Sequence, residues 1–258
     1  MKRLLIIIAL ATILLGGCGP KEEIVLKIPG SNAQIIMRLI PEGSFVMGSP
    51  ADELDRDDDE GPQHTVTISK RFYMGIYQVT QEQWQAVMGN NPSEFISQGS
   101  PVERISWSDC QAFITELNTK GIGKFRLPTE AEWEYACRAG STTRFPWGDD
   151  LTYSEIGTYA WYLENSDFST HTVGQKAANR FGLYDMQGNV WEWCNDWYGD
   201  YDASPQVDPK GPAEGDFRTA RGGSWFDDPF YFRSANRYDF DPADKYNNLG
   251  FRLVRTAP

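Results

Sequence analysis

Hydrophobic and polar positions divide the chain into an apolar head, a patterned first half and an irregular second half. After Met1-Lys2-Arg3, residues Leu4 to Leu15 form a nearly unbroken apolar run. That run is too short to span a bilayer comfortably and has the make-up of a signal segment. Ile35 to Leu39 and Ser44 to Met47 read as short strands on either side of the turn Pro41-Glu42-Gly43. Thr65 to Ile68 alternates, and Phe72 to Val79 continues in strand-like fashion. Three helices follow, at about Gln81–Met88, Ser108–Asn118 and Glu130–Arg138. Each is announced by a hydroxyl residue with an amide or acid three positions on: Thr80/Gln83, Ser106/Asp109 and Thr129/Glu132. Trp84, Phe113, Leu117, Trp133 and Tyr135 mark their buried faces. Asn90-Asn91-Pro92 and Gly140-Ser141-Thr142 are breaks. There is no internal repeat and no interdomain linker.

Beyond Trp147 the periods disappear, aromatics multiply, and long loops are expected, which in a compact domain are usually functional. The densest stretch is Gly182 to Trp193 (GLYDMQGNVWEW). Asp185, Asn189 and Glu192 could converge there on one hard cation with a backbone carbonyl from Gly188, since oxygen ligands suit calcium. Buried acids hydrogen-bonded to backbone amides explain the stretch equally well. The chain is organised around Arg221 to Arg252. Between Arg221-Gly222-Gly223-Ser224-Trp225 and Leu249-Gly250-Phe251-Arg252, Phe and Tyr interleave with Asp without strand or helix period. Large rings beside short polar residues make either an adaptable recognition surface or a looped, buried core segment.

The formal net charge of -12 argues against binding nucleic acid through its phosphates, which needs a basic face. The 258 residues suffice for a sizeable core, and nine Trp with 24 Gly fit a loop-rich fold bridged by large side chains. The acidic run Asp52 to Glu60 lacks the ligand order of a calcium loop and reads better as a solvated loop. Leu15-Gly16-Gly17-Cys18 resembles a bacterial lipobox. The expected organisation is a signal peptide over 1–17, a lipidated tether over 18–23 starting at Cys18, and one domain over 24–258. Such a chain is anchored to a membrane without spanning it. Gly19-Pro20 lacks the aspartate that retains some lipoprotein types in the inner membrane, and with no apolar stripe outside the core patterns a monomer is expected. Cys110, Cys137 and Cys194 read as buried free thiols. With only His64 and His171, a zinc or histidine-based metal site is not expected.

PEGSFVMGS (41–49), QHTVTISKRFYMGIYQVTQEQW (63–84), PVERISWSDCQAF (101–113), FRLPTEAEWEYACRAG (125–140), FPWG (145–148), GLYDMQGNVWEW (182–193), RGGSW (221–225) and NLGFRLV (248–254) resemble the formylglycine-generating-enzyme, or sulfatase-modifying-factor, superfamily. The resemblance implies an α+β fold of low regular secondary structure, with long ordered loops and a C-type-lectin-like C-terminal part. The founding enzymes oxidise a substrate cysteine with copper held by two cysteines after the Gly-Gly-Ser-aromatic motif. Those positions fall here at Asp227 and Phe232, and Arg221 to Arg252 contains no Cys. Copper(I) needs soft thiolates, so no copper and no formylglycine-generating activity are expected. The family's calcium loop maps onto the Asp185 side chain, the Gly188 and Val190 carbonyls and the Glu192 side chain, implying structural calcium. A second family calcium site, near Ala160 to Phe168, departs in spacing and is not carried over.

The segment RGGSW…RSANR…LGFRLVR also resembles the variable region of retroelement-diversified proteins, in particular the treponemal type of variable surface lipoprotein. Their mutagenesis changes adenines, and an AAC codon with its last base fixed can become Phe, Tyr, Asp, Ser, Pro or Ala as well as remain Asn. The resemblance implies an outer-membrane, surface-exposed location, and that Phe226, Asp227, Asp228, Phe230, Tyr231, Phe232, Tyr238, Asp239, Phe240, Asp241, Tyr246 and Asn247 contact an unknown protein or surface ligand. Ser224, Trp225, Arg233 to Arg237, Lys245 and Leu249 to Arg252 would be constant. Two other functions stand beside this one. One is an interaction lipoprotein of fixed specificity. The other is a superfamily enzyme using Asp227, Asp228 and Asp239 as acid/base groups, though the segment offers no His or Cys partner.

Overall fold

The computed structural model describes residues 22–257, so the signal segment and Cys18 lie outside the described residues. Among the described residues the first strand starts at Glu23, one residue before Ile24. Glu23 already pairs with Arg38 in the first hairpin, where their side chains form a 2.9 Å ion pair. That hairpin joins β1 (Glu23–Lys27) to β2 (Gln34–Ile40). The turn at Pro41-Glu42 does not fold β3 (Gly43–Met47) back on β2; it passes the chain to another sheet. β3 pairs antiparallel with β4 (His64–Ile68), while β2 pairs with β5 (Phe72–Gly75). β5 ends at Gly75 rather than Val79, and the amides of Gly75, Ile76 and Val79 bond singly to Leu253, Ile36 and Phe251.

α1 (Gln81–Met88), α2 (Trp107–Thr119) and α3 (Glu130–Arg138) start where the caps predict. Thr80, Ser106 and Thr129 each accept from the amide three residues on, and Gln83, Asp109 and Glu132 reach back to the cap amide. Trp84 of α1 stacks on Phe113 of α2 at 5.2 Å, and both rings meet Phe251 edge-on. β6 (Phe125–Arg126), α4 (Ile156–Tyr159), β7 (Trp191–Trp197), β8 (Gln206–Val207), β9 (Arg218–Arg221), β10 (Arg237–Phe240), β11 (Leu249–Phe251) and β12 (Val254–Thr256) complete the elements.

Among the described residues three sheets result, ordered β1-β2-β5-β12-β6, β10-β9-β7-β11 and β3-β4-β8. β7 is central to the second sheet, and its residues are buried on both faces, so it shows no alternation in the sequence. One apolar cluster gathers Trp84, Phe113, Trp191, Trp193 and Phe251; a second gathers Trp133, Met186, Cys137 and Cys194. A small third cluster holds Phe145, Ile156, Ala160, Tyr162 and Phe232. Cys110, Cys137 and Cys194 are free and buried, and burial pushes their thiols up, that of Cys137 to about 12. Among the described residues, no helix is long and apolar enough to cross a membrane.

Candidate functional site

The segment from Arg221 to Arg252 is held by buried arginines, each paired with a glutamate from elsewhere in the chain. Arg221, at the end of β9, bonds Glu134 of α3 and lies 3.5 Å from Glu130. It also reaches forward to the carbonyls of Ser234 and Ala235, both at 2.9 Å. Gly222 and Gly223 follow at positive φ, and a Cβ on Gly223 would lie 2.6 Å from the Phe232 ring. Only glycine fits that close approach. Arg233 grips Glu60 with two 2.6 Å bonds and reaches Glu53 at 3.2 Å. Arg237 holds Glu130 at 2.8 and 2.7 Å, and also the carbonyls of Asp59 and Gly199. Arg252 holds Glu192, with further bonds to the carbonyls of Gly75 and Tyr184.

The acidic run Asp52 to Glu60 is therefore not simply a solvated loop. Glu60 is fully buried and Glu53 largely so, because both neutralise Arg233. The oxygens of Asp57, Asp59 and Glu60 lie within 4.8 Å of one another. Arg233 takes both oxygens of Glu60, and the Tyr198 hydroxyl donates to Asp59.

Between these anchors the segment presents an aromatic and acidic face. Phe226, Tyr238 and Tyr246 are 55, 43 and 48% exposed, and Asp228 and Asp241 are exposed beside them. Asp227, Phe230, Tyr231, Asp239, Phe240 and Asn247 are half-buried. The floor is Trp191 of β7, whose ring meets Tyr231 at 6.1 Å, Tyr238 at 5.5 Å and Phe240 at 6.3 Å. Phe240 also packs on Trp193 and Tyr246. To one side, Trp225 meets Phe95 and Phe226, each at 5.3 Å, and its indole donates to the Asn247 carbonyl at 3.0 Å. Phe95 of the 90–100 loop and the floor residue Trp191 were not distinguishable from core aromatics in the sequence.

Phe232 is a correction to the expected contact set. Its ring is 0% exposed in the third apolar cluster, because the 3-10 turn Pro229–Phe232 directs it inward. Asp227 is half core as well: its carboxyl is 2.5 Å from the Ser224 hydroxyl, and its carbonyl accepts from the Leu163 amide. Burial pushes the Asp227 carboxyl up, against hydrogen bonds from Ser224 and Trp191 that lower it. The residues expected to be constant form the layer beneath the face: Ser224, Trp225, Arg233, Asn236, Arg237, Leu249, Phe251 and Arg252 are buried. Lys245 is exposed and pairs with Asp109 at 2.7 Å.

The atoms expected to hold calcium are engaged by the chain's own donors. The carbonyls of Asp185, Gly188 and Val190 converge on the side-chain amide nitrogen of Gln78, at 3.2, 3.2 and 2.9 Å. The Asp185 carboxyl accepts from the Gly174 amide at 2.7 Å, and burial pushes it up to about 6. Glu192 accepts from the Trp133 indole at 2.8 Å and from Arg252 at 2.7 Å. Asn189 bonds both backbone groups of His171. A calcium ion at that point would have to displace the Gln78 amide, whose Oε1 has no hydrogen-bond partner among the described residues, and compete with Arg252 for Glu192. Copper fits no better: a carboxylate and a phenyl ring stand at the expected thiolate positions.

Small mixed sheets, few helices and long ordered loops define an α+β protein of the formylglycine-generating type, with its C-type-lectin-like relation. The chain belongs to the sulfatase-modifying factor enzyme 1-like family, whose domain matches residues 29–257. Over 176 residues it is 39% identical to a formylglycine-generating enzyme of Streptomyces coelicolor, covering 61% of this chain and 53% of that enzyme. It spans only about half of that relative's length. It is 32% identical over 244 residues to the chaperone protein LppX of Paenibacillus barcinonensis, covering 74% of this chain and 82% of LppX. Among solved structures, Treponema denticola variable protein 1 superposes with a TM-score of 0.82 at 31% identity, covering 92% of this chain and 100% of that one. PvdO from Pseudomonas aeruginosa superposes at 0.80, also at 31% identity, with coverages of 92 and 100%.

Proposed function

We propose that this chain is a non-catalytic, surface-displayed ligand-binding lipoprotein whose segment 226–248 is a diversity-generating-retroelement variable region. One observation carries the reading. Phe226, Asp228, Tyr238, Asp241 and Tyr246 are exposed, with Phe230, Tyr231, Phe240 and Asn247 half-buried beside them, while Phe232, Arg233 and Arg237 are buried in the frame, Asp227 is half core and Asp239 alternates to the other side of β10. A frame anchored by ion pairs from distant elements holds the loop backbones while the side chains above them change. Similarity to a treponemal variable protein supports this division of labour. The lipobox supports membrane attachment through Cys18. Exposed aromatics over a rigid floor supply contact area at low entropic cost, and the aspartates supply specificity. Formylglycine chemistry is not assigned, because Asp227 and Phe232 stand where the family's copper thiolates would.

Sequencing the gene and its downstream DNA in several clonal isolates tests the reading. The expected result is variation confined to codons 226–248, at codons ending in C, with a nearby near-repeat carrying AAC. A constant segment without a repeat overturns diversification and leaves a binder of fixed specificity.

A further inference from the structure

We infer that the face recognises a basic protein segment, whose arginine or lysine side chains enter between its rings and carboxylates. The inference rests on the binding role proposed above and names the chemistry of the partner. Among the described residues, Asp228, Asp239, Asp241 and Asp244 take part in no ion pair. Several cations of the same region are already engaged: Arg104 with Glu94 at 2.5 Å, Lys245 with Asp109 at 2.7 Å, and buried Arg233 with Glu60. Asp241 and Asp244 each accept one backbone amide, which leaves most of their lone pairs free. Asp228 lies by Tyr231, and Asp241 and Asp244 lie by Tyr246, whereas Asp239 alternates to the opposite side of β10, toward Arg237 and Tyr198. The Tyr246 phenol is pushed up chiefly by the charge of Asp244, and the Tyr231 phenol by burial together with Asp227 and Asp228.

An exposed ring beside an unpaired carboxylate is the arrangement that holds a guanidinium, by cation–π contact on one side and charged hydrogen bonds on the other. The chain treats its own arginines in this way. Arg237 lies 4.4 Å from the centre of Tyr198 and 4.1 Å from that of Tyr201 while bonded to Glu130. Arg218 lies 3.8 and 3.4 Å from the ring centres of Trp107 and Trp197, with its hydrogen bond going to the Asn195 carbonyl rather than to a carboxylate. A net charge of -12 would also steer a basic partner toward the surface. A neutral glycan could stack on the same rings, but it would leave the aspartates without counter-charge.

The test is fluorescence anisotropy of labelled Arg-rich, Ser/Gly and Asp-rich peptides with the full chain, at low and physiological ionic strength. Two triple variants carry the same charge change: Asp228→Asn/Asp241→Asn/Asp244→Asn on the face, and Glu22→Gln/Glu42→Gln/Glu116→Gln at exposed sites outside the segment. The expected result is preference for the Arg-rich peptide, weakened roughly tenfold or more by the face variant. The outside variant should weaken it by no more than about twofold. Equal weakening by both variants would reduce the effect to net charge and overturn the inference. So would an Arg-rich peptide bound no tighter than the Ser/Gly peptide, or full displacement by neutral oligosaccharides. If the gene varies between isolates while the Arg-rich peptide fails, the partner chemistry is wrong and the binding role stands. Specific binding of that peptide with an invariant gene keeps the partner chemistry and removes diversification.

Discussion

Replacing Glu60 with Gln strands the Arg233 guanidinium inside the protein. Both side chains are fully buried and share two 2.6 Å bonds, so the variant keeps the cost of burying the charge and loses its counter-charge. Removing one partner of such a pair costs about 3–5 kcal/mol. Glu53 remains 3.2 Å away and offsets part of the loss, which points to the lower end of that range. For a chain of this length the melting temperature should fall by roughly 6–12 °C. Thermal unfolding at neutral pH reads the effect, with Arg233→Met and the Glu60→Met/Arg233→Met double variant completing the cycle. The double variant should recover most of the loss, since an apolar pair of similar volume needs no counter-charge. Acidification gives a second reading. Burial raises the Glu60 carboxyl, but Arg233 outweighs it and holds the group below its ordinary 4.5. The stability it contributes is complete above that value and lost as pH falls through the lowered one, a component Glu60→Gln should lack. Single variants within about 1 kcal/mol of the parent, or strict additivity in the double, would refute the anchoring argument.

Phe232→Ala should cost about 3–5 kcal/mol, as expected for a buried aromatic. Tyr238→Ala should stay within about 1 kcal/mol, and thermal unfolding of the two variants separates core from face. Neither chelator nor added calcium should move the melting temperature of the parent chain. Gln78→Glu sets a carboxylate against three carbonyls and should lower that temperature until calcium is added; a parent chain stabilised by calcium would contradict this. Burial pushes Glu103 up to about 7; one oxygen accepts from the Phe95 amide and the other has no partner. The proton it keeps in the fold stabilises fully below its ordinary 4.5, and that stability is lost as pH rises through about 7. Glu103→Gln should therefore flatten the melting temperature between about pH 5 and 8.

The cap residues made the three long helices legible, because each start is a local hydrogen-bonding device that needs no distant partner. Alternation exposed β4, which has one wet face, and missed β7, which has none. Long-range charge pairing was out of reach. Glu60 lies 173 positions before Arg233, and nothing local distinguishes it from its exposed neighbour Asp58. Tyr231 and Phe232 are adjacent and equally aromatic, yet a short 3-10 turn leaves one half-buried and sends the other into the core. The contact of Gln78 with the calcium-loop carbonyls was equally out of reach, since over 100 residues separate them in the chain.

The central claim is that the face can change while the frame stays fixed. The most direct test randomises the first two bases of each codon at the face positions other than Phe232, keeps C in the third, and measures thermal unfolding across the library. A parallel library randomises Arg221, Arg233, Arg237 and Arg252. The account predicts that most face variants unfold cooperatively within a few degrees of the parent, while most frame variants do not fold. Loss of cooperative unfolding across most of the face library would contradict it and make the segment part of the core.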